Sequence, residues 1–268
     1  MNTTRRQLLV STAISFATLA LPASLRAAER VPKLGMIFPP ADRGIPEEGV
    51  AMYGNRVEYL AAGLGLATMT PEGYEAVIDR IPVAARALME RGADAVVLMG
   101  TSLSFFKGEA YNQRLTATLR EATGNKLPVT TMSTAVIEGL KTMGATKVAA
   151  PTAYNDEVND RLRSFLTEHG FEVVALRGLG VEAVEDINLV TQPMLLDFCT
   201  EVVRSAPTAD AILVSCGGLR TLEILAPLEE RTALPAVSST PHALYAATKL
   251  VGLDPAVPGY GRLIATHA

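Results

Sequence analysis

The chain has no tryptophan, only two cysteines and three histidines, and just 5% aromatic residues. Each shortage argues against a class of protein. Two cysteines, Cys199 and Cys216, are too few for a disulfide scaffold, and a chain of 268 residues can build a core without one. His169, His242 and His267 are scattered, with none of the spacings that bring imidazoles onto a metal ion, so no metal site is expected. No Walker-type sequence or G-x-G-x-x-G is present, and Gly63-Leu64-Gly65 lacks the strand-to-helix setting of a phosphate cradle. G-x-S-x-G is absent too, which argues against a serine hydrolase. The sequence offers no cofactor site. Net charge is −4 and no basic cluster follows the first residues, so nucleic acid is not an expected partner.

What the chain has in quantity is small apolar side chains: 49% of residues are hydrophobic and 19% charged, a composition suited to helices packed tightly on sheets. The N-terminus stands apart. Arg5-Arg6 precede an uncharged apolar run, Leu8 to Leu21, shorter than the ~20 residues that span a bilayer, and small residues follow. Residues 1–28 therefore read as a twin-arginine-type export signal cleaved at Ala27 or Ala28, with a Sec signal or an uncleaved anchor as the alternatives. The expected location is the periplasm, or the cytoplasm if the signal does not function. Cleavage removes three arginines and no acid, and leaves a protein with no stable membrane association.

From Lys33 onward, apolar strand-like runs alternate with helical patterns, as in a parallel sheet covered by helices. Leu34–Phe38 ends at Pro39-Pro40, Ala95–Met99 at Gly100-Thr101-Ser102, and Val129–Met132 at Ser133-Thr134. Tyr74 to Arg91, closed by Gly92, and Asn112 to Thr123, closed by Gly124, read as helices with glycine stops. The series then repeats. Lys147–Pro151 echoes Lys33–Ile37, Ala209–Gly218 echoes Ala93–Ser102 residue for residue, and Leu234–Thr240 echoes Leu127–Ser133. Three matching blocks in one order imply two similar lobes. The expected fold is α/β: two pseudo-symmetric Rossmann-like lobes in residues 31–268, each a mostly parallel sheet flanked by helices, with the active site in the cleft between them. Lobe one is expected to hold 31–125 plus 238–268, and lobe two 126–237.

Open α/β sheets bind ligands beyond the carboxyl ends of their strands. Two such ends fall at duplicate positions, Gly100-Thr101-Ser102 and Cys216-Gly217-Gly218, and are expected to flank one small pocket. Glycines after Cys216 let backbone N–H groups approach a ligand, and a following helix N-terminus favours negative charge. Such a setting can tune a thiol for proton transfer, but it equally suits a small buried residue before a turn. Thr101 and Ser102 offer hydroxyls and N–H groups to a carboxylate or enediolate, or serve simply as a helix N-cap. Tyr154 and Tyr74 either add ring hydroxyls to that cradle or are packed aromatics. Cys199, inside a helical pattern, reads as a buried apolar residue.

The duplicated lobes and paired strand ends resemble the aspartate/glutamate racemase superfamily. Within it, Gly63–Leu66, Thr70–Tyr74, Met99–Phe105, Thr131–Ala135, Thr152–Tyr154, Ser215–Leu219 and Pro258–Leu263 resemble the arylmalonate decarboxylases, over a span from about Lys33 to Leu263. The resemblance implies cofactor-independent decarboxylation of a disubstituted arylmalonate, a small dicarboxylate, to a chiral 2-arylpropionate. By that likeness Cys216 is the proton donor; Thr101, Ser102, Tyr154 and the Gly217 backbone form a dioxyanion hole. Pro39, Pro40, Leu66, Met69, Tyr74, Gly100, Leu103, Val184, Ile187 and Gly218 then line the substrate pocket. Met69 and Ile187 differ from the smaller or more flexible side chains expected there. Superfamily racemases use one cysteine per lobe, whereas the duplicate of Cys216 is Gly100; one-sided proton delivery argues for decarboxylation over racemisation. A maleate isomerase-like or racemase-like enzyme and an exported, non-catalytic carboxylate-binding protein are the alternatives.

Overall fold

A computed structural model describes residues 30–41 and 44–267; the segment read as an export signal lies outside them. Chain order runs β1 (Lys33–Phe38), α1 (Glu47–Tyr53), β2 (Glu58–Gly63), α2 (Pro71–Glu75), α3 (Ile81–Glu90), β3 (Ala95–Leu98), α4 (Thr101–Phe105), α5 (Glu109–Ala122), β4 (Val129–Thr131) and α6 (Met132–Thr142). It continues through β5 (Lys147–Thr152), α7 (Asp156–Glu168), β6 (Glu172–Gly178), α8 (Gln192–Arg204), β7 (Ala211–Val214), α9 (Leu222–Thr232), β8 (Ala236–Ser238) and α10 (Ser239–Leu250). The strands form two four-stranded sheets, ordered β2-β1-β3-β4 and β6-β5-β7-β8, and every pairing is parallel. The second order is the first advanced by four strands, which is the duplication seen in the sequence.

The inner strands are apolar without alternation because both faces are covered. Ala95–Leu98 and Ala211–Val214 are buried throughout, and each fully buried aliphatic side chain contributes about 1.5–3 kcal/mol of transfer free energy. Helices stop where glycine takes a left-handed φ, as at Gly92 (86°) and Gly124 (59°). The continuous helix expected from Tyr74 to Arg91 is instead α2, a 3₁₀ turn at Ile78–Arg80, and α3. Pro82 explains the break: without an N–H it belongs in a first turn, so a new helix begins there.

The lobe boundary also differs from the one expected. Val129–Thr131 pairs with β3 (Val96↔Val129, Leu98↔Thr131), so β4 closes the first sheet rather than opening the second lobe. Its duplicate β8 closes the second sheet in the same way, through Ile212↔Ala236 and Val214↔Ser238. The helices that follow these strands, α6 and α10, pack on each other; α10 also lies against β3, β4 and α1. A last inter-lobe link joins the loops after the edge strands β2 and β6. Thr68 and Ala183 form an antiparallel bridge, Met69 N donates to Glu182 O at 2.8 Å, and Val184 N donates to Ala67 O at 3.0 Å. Among the described residues no helix is long and apolar enough to cross a membrane.

Candidate active site

The carboxyl ends of β1, β3 and β7 meet around one narrow pocket. Its walls are Pro39 and Pro40 after β1; Met99, Gly100, Thr101 and Ser102 after β3; Leu66 and Met69 after β2; Val184 and Ile187 after β6; and Cys216, Gly217 and Gly218 after β7. The cavity they form is small, about 40 Å³. Strand-end residues of both lobes thus face one another, and the loops joined at Thr68 and Ala183 supply the apolar side.

Cys216 is only 4% exposed. Its N–H donates to Ser239 Oγ at 3.1 Å, while Gly218 N donates to its Sγ at 3.4 Å; the latter bond favours the thiolate that proton transfer would leave. Met69 Sδ lies 4.0 Å from the thiol sulfur. Space at Gly217 is tight. A Cβ there would meet Met132 Sδ at 3.0 Å and the Met99 carbonyl at 3.3 Å, so the turn presses its backbone against the first lobe. Thr240 Oγ1 donates to Gly217 O at 3.1 Å and holds the turn from α10.

Across the pocket, α4 begins directly at the end of β3, so Thr101 and Ser102 carry first-turn N–H groups that have no partner within their own helix. Thr101 Oγ1 lies 2.7 Å from Ser239 Oγ and 2.9 Å from Met132 Sδ. The hydroxyls of Thr101 and Ser239 therefore connect the first lobe to the backbone of Cys216. Ser104 Oγ donates to Gly100 O at 2.7 Å and Ser133 Oγ to Thr101 O at 2.9 Å, which fixes the turn from beneath.

Three expected pocket residues stand behind the wall. Leu103 is fully buried under Gly100. Tyr154 is buried with its hydroxyl 3.1 Å from Ser215 Oγ. Burial, then the nearby Cys216 charge, push its ionisation well above the ordinary phenol range, so the ring keeps its proton. Tyr74 is also buried, and burial raises its pKa in the same sense. The Ser102 hydroxyl is close enough to oppose that effect but makes no hydrogen bond of ordinary geometry with it. Burial pushes the Cys199 thiol to about 12, leaving it protonated and inert as expected of a packed side chain. Among the described residues no three His, Cys, Asp or Glu side chains converge in a way that would hold a metal ion.

Sequence reasoning missed Met99, Met132, Ser215, Ser239 and Thr240. The signal for the last two was present. Leu234–Thr240 duplicates Leu127–Ser133 and therefore ends a strand at the same level as the pocket.

The arylmalonate decarboxylase family model matches residues 34–264. Arylmalonate decarboxylase of Bordetella bronchiseptica is 47% identical over 233 residues, covering 87% of this chain and 96% of that one. A crystal structure of a Gly-to-Cys, Cys-to-Ser double mutant of arylmalonate decarboxylase in liganded form superposes with a TM-score of 0.83 at 46% identity, over 87% of this chain and 98% of that one. A maleate isomerase structure from Pseudomonas putida S16, determined with maleate, reaches a TM-score of 0.81 over 89% of this chain and 99% of that one, at 20% identity, and shares the fold. Two parallel sheets of matching order, a cysteine turn facing a hydroxyl-bearing strand end, and these alignments across nearly the whole described chain agree: it belongs to the arylmalonate decarboxylase family, within the aspartate/glutamate racemase superfamily.

Proposed function

We propose that this chain is a cofactor-independent decarboxylase acting on a disubstituted malonate, with Cys216 as proton donor. The observation that carries the reading is the asymmetry of the pocket. A single thiol projects from the second lobe, and at the duplicate position in the first lobe stands Gly100, which has no side chain to carry a proton.

The chemistry follows from what the walls offer. On this reading the retained carboxylate is held by Thr101, Ser102 and the Gly217 N–H, with the Tyr154 hydroxyl behind them; the departing carboxylate faces Leu66, Met69, Val184 and Ile187. Cleavage of the bond between the α-carbon and the departing carboxylate releases CO2, and the bonding pair delocalises into the retained carboxylate as an enediolate. Converging donors stabilise that charge, commonly the largest single contribution to such catalysis. A neutral Tyr154 suits a place behind those donors, because burial keeps its proton on the ring. The Cys216 S–H then delivers its proton to one face of the planar α-carbon, forming a C–H bond and leaving a thiolate that solvent reprotonates. Met69 and Ile187 crowd the apolar side of this small pocket, so an aryl substituent has to fit beside them. The same crowding favours compact substituents.

Proton NMR of the purified protein with phenylmalonate and methyl(phenyl)malonate in heavy water tests the reading. Release of CO2 with one deuterium on the α-carbon is expected, and absence of CO2 from both substrates would overturn it. We further propose that residues 1–28 direct export. Replacing Arg5 and Arg6 by lysine should retain a reporter fusion in the cytoplasm, and continued export of that variant would count against the twin-arginine route.

A further inference from the structure

We propose that Glu48 is a positioning residue that holds the cysteine turn from the opposite lobe; the inference rests on the reading of Cys216 as proton donor. The turn from Ser215 to Thr221 is long, and α9 begins only at Leu222. Hydrogen bonds from Cys216 N to Ser239 Oγ and from Thr240 Oγ1 to Gly217 O secure its first half. Its second half is secured from outside the lobe. The Glu48 carboxylate, on α1 and only 8% exposed, accepts from Thr221 N at 2.8 Å and from Leu222 N at 2.9 Å.

Several observations make this more than a structural cap. Thr221 supplies no side-chain cap to α9. The N–H groups that open the helix are met instead by a carboxylate from 173 residues earlier in the chain, whose charge suits the positive end of the helix. Thr221 Oγ1 in turn donates to Ser238 Oγ at 3.0 Å, one residue before the serine that holds the Cys216 backbone. Finally, α1 lies in the same β1–β2 connection that places Pro39 and Pro40 in the pocket wall. One connection of the first lobe therefore both lines the pocket and grips the segment carrying the thiol. The neighbouring Glu47–Arg220 pair is exposed and adds little; the buried carboxylate is the clamp.

The test compares Glu48→Ala, Glu48→Gln and Glu48→Asp with Asp210→Ala. Asp210 accepts from Lys147 N at 2.9 Å and Thr146 N at 3.0 Å, at the start of β5 and away from the pocket. Turnover of methyl(phenyl)malonate is measured per folded molecule, with the rate of Cys216 alkylation by iodoacetamide read against a Cys216→Ser blank. Misplacing a reacting group by about 1 Å costs on the order of 10²-fold. Glu48→Ala should lower kcat by about that factor with KM within about threefold, the split expected when an interaction serves the transition state more than the ground state. Glu48→Gln retains an acceptor oxygen and should recover kcat to within about tenfold of the parent. Asp210→Ala should lose thermal stability and keep its kcat. If Glu48→Ala does not fold, Glu48→Asp replaces it, with an expected fall in kcat of about tenfold because its carboxylate is drawn back by one methylene. Parental kcat in the folded Glu48→Ala (or Glu48→Asp) protein, or an equal kcat loss in Asp210→Ala, overturns the proposal. If even the parent turns over no malonate, the alkylation rate decides. A change of more than about threefold in Glu48→Ala supports the clamp, because thiol reactivity follows its local surroundings, and an unchanged rate removes it.

Discussion

The two lobes end their third strands at equivalent points and then diverge. In the first lobe β3 passes through Met99 and Gly100 straight into a helix at Thr101. In the second, β7 is followed by an extended turn, Ser215 to Thr221, before α9 begins. The immediate helix makes the first end a fixed surface of N–H groups and hydroxyls. The turn makes the second end a carrier for one thiol, which must be held by contacts from Ser239, Thr240 and Glu48. On the proposed reading, a duplicated scaffold thus supplies two different parts: a receptor for charge and a positioned source of a proton.

The largest expected effect comes from emptying the second end. Cys216→Ala should keep the fold, since a small residue replaces a small one, and lower decarboxylation by about 10²–10⁴; steady-state CO2 release from a folded variant checks this, and near-parental turnover would contradict the role of the thiol. Moving the thiol between the ends is the next step. Gly100→Cys with Cys216→Ala should give the opposite enantiomer of the 2-arylpropionate at reduced rate, and Gly100→Cys alone should introduce product racemisation. The backbone at Gly100, φ −140° and ψ 99°, suits any residue. The obstacle is space: a Cβ would lie 2.7 Å from Pro39 Cγ and 3.1 Å from Leu103 Cβ, an overpacking worth about 1–3 kcal/mol. Chiral chromatography reads the outcome, and unchanged handedness from an active double variant would show that the two ends do not face each other.

The matched junctions after β4 and β8 give a smaller contrast. Thr131 Oγ1 caps α6 by accepting from Thr134 N at 3.1 Å. Ser238 gives α10 no such cap; instead its N–H meets His242 Nδ1 at 2.9 Å. Burial lowers the His242 pKa to about 4. The unfolded chain therefore binds the extra proton first, below ~6.5, so the stabilisation is complete above that pH and is lost on acidification towards 4. Between pH 7.5 and 5 the loss should be about 2 kcal/mol, and His242→Asn, which keeps an acceptor near Nδ1, should flatten that dependence in urea titrations. The smallest effect concerns the other thiol. Cys199→Ala should leave turnover unchanged and cost about 1 kcal/mol of stability from lost packing, measured by thermal unfolding beside an activity assay.

Much of this arrangement was legible in the sequence because the duplication repeats whole strands with their ends. The cysteine turn and its partner Gly100-Thr101-Ser102 were found by aligning the chain with itself. The edge strands were not: Glu58–Gly63 and Glu172–Gly178 are only partly buried, and their short apolar runs, Tyr59–Ala62 and Val173–Leu176, do not by themselves tell strand from helix. The boundary expected after residue 125 misplaced Val129–Thr131, because local pattern shows that a strand exists but not which sheet it joins. Glu48 and Ser239 escaped notice for a related reason. Each acts on a backbone group far away in sequence, and nothing in its own neighbourhood marks the partner.

The bridge between Thr68 and Ala183 carries one more consequence. An enediolate is flat, and water arriving from the open side would protonate it without regard to hand. On the proposed reading, optical purity of the product would report how well the joined loops keep water away while the thiol delivers its proton. Weakening the contacts at Met69 N and Val184 N would then erode enantiomeric excess before it erodes rate, which makes stereochemical fidelity the more sensitive gauge of that seal.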